Sequence, residues 1–347
     1  MAMTRTFGAL AALGAAAALT VSAAPAQAAN SYVALGDSYA SGTGTRTYIN
    51  DGTSCQRSVY AYPSLISASK GLTLNFRACS GAKVADVTNT QLSALTTATT
   101  QVSISVGGND AGFADVLTEC AQPGWMSDCN GAIDGAQSTI NTTLPARLST
   151  LYASIKAKAP NAKVVVVGYP RIFQGEDCNA FTWFSPAEEV RLNATADLLN
   201  AKIAAAANRP GFVYSSPIAA FVGHAVCDNT EWLNGLSNPT VESFHPNRLG
   251  HSAGYTALIG TALTGSTVRV GTVTTQVAAD RAARLAAKQR PYAAQDRAIR
   301  PERFTIPDLR SPQVKRAAAR AGVDLSSRAS IDRIDSRYAA RQARANR

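Results

Sequence analysis

Several chemistries have no foothold in this 347-residue chain. It holds three histidines, and its six cysteines include no CxxC pair. His224, His245 and His251 do not stand at zinc-finger spacing, so the pattern gives no metal site. There is no H-E-x-x-H, no Walker loop and no G-x-G-x-x-G opening a helix after a strand. No nucleophile elbow of the α/β-hydrolase kind is read. The apolar run over 7–21 is shorter than the ~20 residues a membrane span needs. Acidic residues are also scarce in one region. Residues 266–347 hold 18 Lys+Arg against 7 Asp+Glu, a net of +11, whereas residues 1–265 carry a net of −1. The overall +10 is therefore a property of the tail. The body gives no reason to expect a nucleic-acid partner.

What is present begins with an address. A basic start through Arg5, the Ala-rich run, Pro25 and the small residues Ala26-Gln27-Ala28 read as a secretory signal peptide over 1–28. Export to an oxidising, extracellular setting agrees with six cysteines. Sequence alone does not choose among their 15 pairings, but neighbour placement suggests Cys55–Cys79, Cys120–Cys129 and Cys178–Cys227.

From Ser31 short β-rich runs alternate with helical stretches. Strands are expected over 32–35, 72–78, 102–106, 163–168 and 212–214, and helices over about 60–70, 132–159 and 186–207. Such alternation implies an α/β fold with a mostly parallel sheet and helices on both faces. Ligands bind beyond the carboxyl ends of such strands. Three of those ends carry small or polar clusters: Gly36-Asp37-Ser38, Cys79-Ser80-Gly81 and Gly107-Gly108-Asn109-Asp110. After Gly265 the pattern gives way to Ala/Arg-rich stretches punctuated by prolines. This tail reads first as a disordered, dispensable extension. The alternatives are a contact to an anionic membrane or cell-wall surface, and a helical cap on the body.

Ser38, at a sharp turn after a strand, is a candidate nucleophile, since such a turn exposes a hydroxyl and frees backbone N–H groups. Asn109, behind two glycines, has a carboxamide able to donate to an oxyanion. Gly81 can offer a backbone N–H. His245, in Ser243-Phe244-His245-Pro246 before a helical stretch over 248–263, can reach back as a base. His251 falls within that helix, where packing or solvent exposure accounts for it, and His224 stands in a loop near Cys227 with no companion motif.

Taken in order, Gly36-Asp37-Ser38-Tyr39, Gly81, Gly107-Gly108-Asn109-Asp110 and His245-Pro246 resemble the SGNH (GDSL-like) hydrolase family. The likeness spans about 31–265. It lies nearest the family's secreted actinomycete lipases, esterases and phospholipases, which also carry three disulfides. The resemblance implies a three-layer α/β/α sandwich over 29–265, with the tail outside it. It implies Ser38 as nucleophile and His245 as general base. The backbone N–H groups of Ser38 and Gly81 and the Asn109 side chain would form the oxyanion hole. No metal or cofactor is implied. The family's usual Asp three residues before the histidine is Glu242 here. A Ser38–His245 dyad oriented by the Ser243 backbone carbonyl is favoured, with Glu242 as the alternative. The expected protein is a monomeric, secreted ester hydrolase acting on lipid or other ester substrates. A polysaccharide acetyl esterase is the runner-up, and a non-catalytic envelope-binding protein the reading from another class.

Overall fold

The computed structural model describes residues 1–2 and 30–345. The leader expected over 1–28 lies outside these, apart from its first two residues. Five strands form one sheet: β1 (Ser31–Gly36), β2 (Thr73–Phe76), β3 (Gln101–Ser105), β4 (Lys163–Val167) and β5 (Val213–Ser215). Their spatial order is β2-β1-β3-β4-β5 and every pairing is parallel. A parallel sheet covered on both faces needs near-continuous apolar strands, and Val164-Val165-Val166-Val167 and Tyr32-Val33-Ala34-Leu35 are buried throughout. The order reverses at β1, so right-handed crossovers send helices to opposite faces. Tyr62–Lys70 and Thr256–Thr264 pack together on one side; Cys129–Thr142, Leu144–Lys158 and Pro186–Asn208 pack together on the other.

Most boundaries follow the sequence to within a few residues. Two differ for identifiable reasons. The helix expected over 132–159 is two, because Pro145 lacks an N–H and restricts the residue before it. The first of the two starts early, at Cys129, where the Asp128 carboxylate accepts from the Gly131 N–H at 3.2 Å. β2 stops at Phe76, because the N–H groups of Arg77 and Ala78 both turn to the Ala34 carbonyl. The disulfides are Cys55–Cys79, Cys120–Cys129 and Cys178–Cys227. Among the described residues, no helix is long and apolar enough to cross a membrane.

The tail is folded, in contrast to the disordered extension that its composition favoured. It forms helices at Thr272–Asp280, Ala282–Gln289, Pro312–Ala321 and Arg328–Ala345, with shorter turns between. Composition missed this because the tail's few apolar residues are spaced to meet the body: Leu285, Ile299 and Phe304 join the main core. Val314, Ala318 and Ile334 form a second cluster with Trp125. The strongest tie is electrostatic. Arg57 and Arg77 are buried, and both bind the buried carboxylate of Asp296, at 2.6 and 2.8 Å. Asp51 takes the other side of Arg57 at 2.6 Å. Gln289 accepts from Arg77 at 3.0 Å, and the Tyr292 ring lies 3.9 Å from its guanidinium.

Breaking a buried pair leaves the partner charge uncompensated in low dielectric, at a cost of about 3–5 kcal/mol. Asp296→Ala is therefore expected to destabilise the whole chain by about that amount in urea unfolding. A change under about 0.5 kcal/mol, typical of a surface substitution, would mean that the tail is not integral to the fold.

Candidate active site

The site forms at the carboxyl ends of β1 and β3, beside the point where strand order reverses, and the loop that leads to Thr256–Thr264 reaches over it. β1 ends at Gly36, whose φ of +121° suits glycine; a Cβ there would overlap the backbone of Ser105 on β3. The chain then turns into a single helical turn, Ser38–Ser41, capped by Asp37, whose carboxylate accepts from the Tyr39 N–H at 3.0 Å. Ser38 thus stands at the first position of that turn, at the pocket.

His245 comes from the loop between β5 and the helical stretch that ends in Thr256–Thr264. Its Nε2 lies 2.8 Å from Ser38 Oγ, and its Nδ1 lies 2.9 Å from the Ser243 carbonyl oxygen. That second contact depends on Phe244. Phe244 sits at φ +60°, a left-handed conformation a bulky side chain rarely adopts. Its ring is buried among Phe173, Phe184 and Phe304, at centroid distances of 5.9, 5.7 and 5.1 Å. Its carbonyl accepts from the Tyr39 hydroxyl at 2.8 Å, and its N–H bonds the Asn234 carbonyl at 2.9 Å. Packing and hydrogen bonds together hold the bend that turns Ser243's carbonyl back onto the imidazole.

Glu242 is buried but turned elsewhere. Its carboxylate accepts from the Tyr48 hydroxyl at 2.5 Å and faces Arg46 at 3.6 Å. Gly81 and Asn109 both line the pocket with Ser38. Asn109 Nδ2 donates to the Ala82 carbonyl at 3.0 Å, which ties the two loops together. Of the residues singled out in sequence, Ser38, His245, Ser243, Gly81 and Asn109 come together, and Glu242 does not join them.

Burial pushes the His245 pKa down to about 4, opposed by the Ser243 carbonyl. The imidazole is thus held neutral, and Ser243's carbonyl selects the tautomer with the proton on Nδ1. Burial also raises Asp37 to about 7, against hydrogen bonds from Tyr169 and Tyr39. The Tyr169 hydroxyl donates to Asp37 at 2.5 Å and accepts from the Gly108 N–H at 3.2 Å. It thereby joins the serine turn to the Asn109 loop. Sequence reading did not single out Tyr169. The signal was available: Gly168-Tyr169-Pro170 follows β4 as the other clusters follow β1 and β3.

The remaining histidines are packed. His251 is fully buried, accepts from the Tyr62 N–H at 3.3 Å and stacks on that ring. His224 stacks on Trp232 with centroids 3.8 Å apart. Gly250-His251-Ser252-Ala253-Gly254 does spell G-x-S-x-G, but it lies within the helical stretch that runs on to Thr264. It has no strand before it, so it is not a nucleophile elbow.

Known proteins resemble this chain in sequence and in fold. The profile of the GDSL-like Lipase/Acylhydrolase family matches residues 34–253. A lipase of Streptomyces rimosus is 43% identical over 73% of this chain and 93% of its own length. Lipase 1 of Streptomyces coelicolor is 42% identical over 69% and 88% respectively. The crystal structure of the extracellular S. rimosus lipase superposes with a TM-score of 0.64 at 41% identity, covering 67% of this chain and all of that one. Phospholipase A1 of Streptomyces albidoflavus gives the same TM-score at 39% identity, covering 67% of this chain and 99% of that one. With one parallel sheet between two layers of helices and these relatives, the chain belongs to the GDSL-like (SGNH) lipase/acylhydrolase family and is a carboxylic ester hydrolase.

Proposed function

We propose that Ser38 and His245 hydrolyse carboxylic esters of lipids, acylglycerols or phospholipids, through an acyl-enzyme. The observation that carries this is the chain of contacts from Ser38 Oγ through the imidazole to the Ser243 carbonyl, at 2.8 and 2.9 Å. Ser38 Oγ attacks the ester carbonyl carbon while its proton passes to His245 Nε2. Negative charge builds on the former carbonyl oxygen. The N–H groups of Ser38 and Gly81 and the Asn109 carboxamide are the donors for it, each such donor contributing about 2.7–4 kcal/mol in comparable sites. His245 then gives the proton to the departing alkoxide, leaving Ser38 acylated and an alcohol free. A water molecule, deprotonated by His245, attacks the acyl-serine; as the bond to Ser38 Oγ breaks, His245 returns that proton to the oxygen, and the carboxylic acid leaves with Ser38 and His245 restored. The Ser243 carbonyl accepts from Nδ1–H throughout and steadies the imidazolium, the part a carboxylate plays in a triad. The apolar walls beside Ser38, from Phe113, Leu117 and Ile172, favour an acyl chain over a sugar ring.

The reading includes secretion through the 1–28 leader and a monomeric enzyme. It also includes contact of the tail with anionic surfaces through exposed cations such as Arg284, Arg316, Arg320 and Arg333.

Ser38→Ala is expected to reduce kcat on a p-nitrophenyl ester on the order of 10⁶-fold and to abolish labelling by a fluorophosphonate. Labelling that persists in this variant would place the nucleophile elsewhere. Glu242→Gln is expected to keep most of kcat, since Tyr48 can still donate to the Gln carbonyl. A fall near the ~10⁴-fold seen when a triad acid is neutralised would move the orienting role to Glu242. Because burial depresses His245 to about 4, the base stays unprotonated as pH falls through 6 and 5. The acid limb of kcat/KM should therefore lie near pH 4; a limb at 6.5 or above would show an imidazole left in water. A panel of p-nitrophenyl esters, phosphatidylcholine and acetylated xylan tests the substrate class, and a preference for xylan would replace the lipid reading.

A further inference from the structure

The pocket beside Ser38 is not made by the family domain alone. Residues 299–304 of the tail pass along it, beyond the stretch that the family profile matches. The Ser54 hydroxyl donates to the Ile299 carbonyl at 3.3 Å. A Cβ on Gly81 would overlap the carbonyl oxygen of Arg300 and crowd Pro301, so the strap lies directly against the Gly81 backbone. Glu302 and Phe304 line the same pocket as Ser38 and His245, and Lys83 pairs with Glu302 at 3.2 Å. Phe304 is 4% exposed, with its ring edge-on to Phe244. The next residue, Thr305, donates its N–H to Thr118 Oγ1 at 3.0 Å. Thr118 lies on Phe113–Cys120, the helix whose Phe113, Ala114 and Leu117 form the apolar wall. The strap thus runs from Gly81 to the flank of the apolar wall and leaves an aromatic ring in the space between.

Its ends are fastened in ways that oppose displacement. On one side is Asp296, buried between Arg57 and Arg77. On the other are the Trp125 cluster, the Asp335 carboxylate accepting from the Gly124 N–H at 2.7 Å, and Asp332 accepting from Trp183 Nε1 at 3.0 Å. A segment held this way is a permanent wall rather than a gate.

Accepting the Ser38 chemistry proposed above, we propose that the C-terminal strap completes the acyl pocket and that Phe304 is a specificity-determining residue. It shortens the space available to the acyl chain, so the enzyme prefers short and medium acyl esters over long ones. A benzyl ring between the apolar helix and Phe244 fills volume that several methylenes would otherwise occupy. In a closed apolar pocket each methylene is worth about 10–200-fold in discrimination.

The test uses the full chain and p-nitrophenyl acetate, butyrate, octanoate and palmitate. Wild type is expected to fall in kcat/KM beyond butyrate or octanoate. Phe304→Ala is expected to raise the octanoate-to-acetate ratio at least about tenfold. Phe304→Leu, which keeps the site apolar should the alanine variant not fold, is expected to move the ratio in the same direction by less. An unchanged ratio in folded variants would overturn the proposal. So would an equal rise on every ester, which would mark the strap as a plug over the catalytic serine. The two readings separate cleanly. No hydrolysis of any ester by wild type refutes the Ser38 chemistry, whereas hydrolysis with a length profile indifferent to Phe304 refutes only the role of the strap.

Discussion

The arrangement at the active site rests on one bent residue. Phe244, at φ +60°, joins Ser243 to His245, and that bend lets a main-chain carbonyl stand where the family commonly places a carboxylate. A left-handed conformation at a bulky residue costs on the order of 1–3 kcal/mol, and persists only where the surroundings over-determine it. Here they do so three times over. An aromatic cluster grips the ring, the Tyr39 hydroxyl holds the carbonyl, and Asn234 holds the N–H. Tyr39 follows Ser38 directly, so the same bond that steadies the His245 loop also ties it to the serine turn.

This arrangement also accounts for Glu242. A glutamate at that position is one methylene longer than the aspartate, and it is free to serve elsewhere once the imidazole has a carbonyl partner. It closes a contact with Tyr48 and faces Arg46, which braces the loop that delivers His245. A dyad with a neutral orienting group suits a histidine in this setting. Burial already keeps the imidazole uncharged, and the carbonyl fixes its tautomer without adding a buried negative charge.

The tail enters the same network. Phe304 is one of the three rings around Phe244, so a segment beyond the stretch that the family profile matches touches the residue that joins Ser243 to His245. Its surplus of arginine, which offered contact with an anionic surface as one reading of the tail, divides by position. Exposed arginines face solvent along the tail helices, whereas the buried charge on the tail's side is acidic: Asp296 neutralises two arginines of the body. A region of net +11 is therefore held to a nearly neutral domain partly by one of its few carboxylates.

Much was decided by the sequence alone. The alternation of β-rich and helical runs dictated a parallel sheet with helices on both faces, since each run must bury its apolar face against the next. Glycines and small polar residues at the ends of β1 and β3 marked Ser38 and Asn109, because such positions need backbone conformations and close approaches that other residues resist. What only the tertiary structure decided involves partners far apart in the chain. Tyr169 meets Asp37 across 132 residues, Tyr39 meets Phe244 across 205, and Arg57 meets Asp296 across 239. Periodicity is a local signal and carries no record of which distant side chains will meet. Whether Ser243 or Glu242 faced the imidazole turned on a single backbone bend, and whether the tail was loose or docked turned on a few apolar side chains and one buried carboxylate that meet the body. Both belong to the packed molecule, where burial makes an unpaired charge or a strained dihedral too costly unless the whole fold supports it.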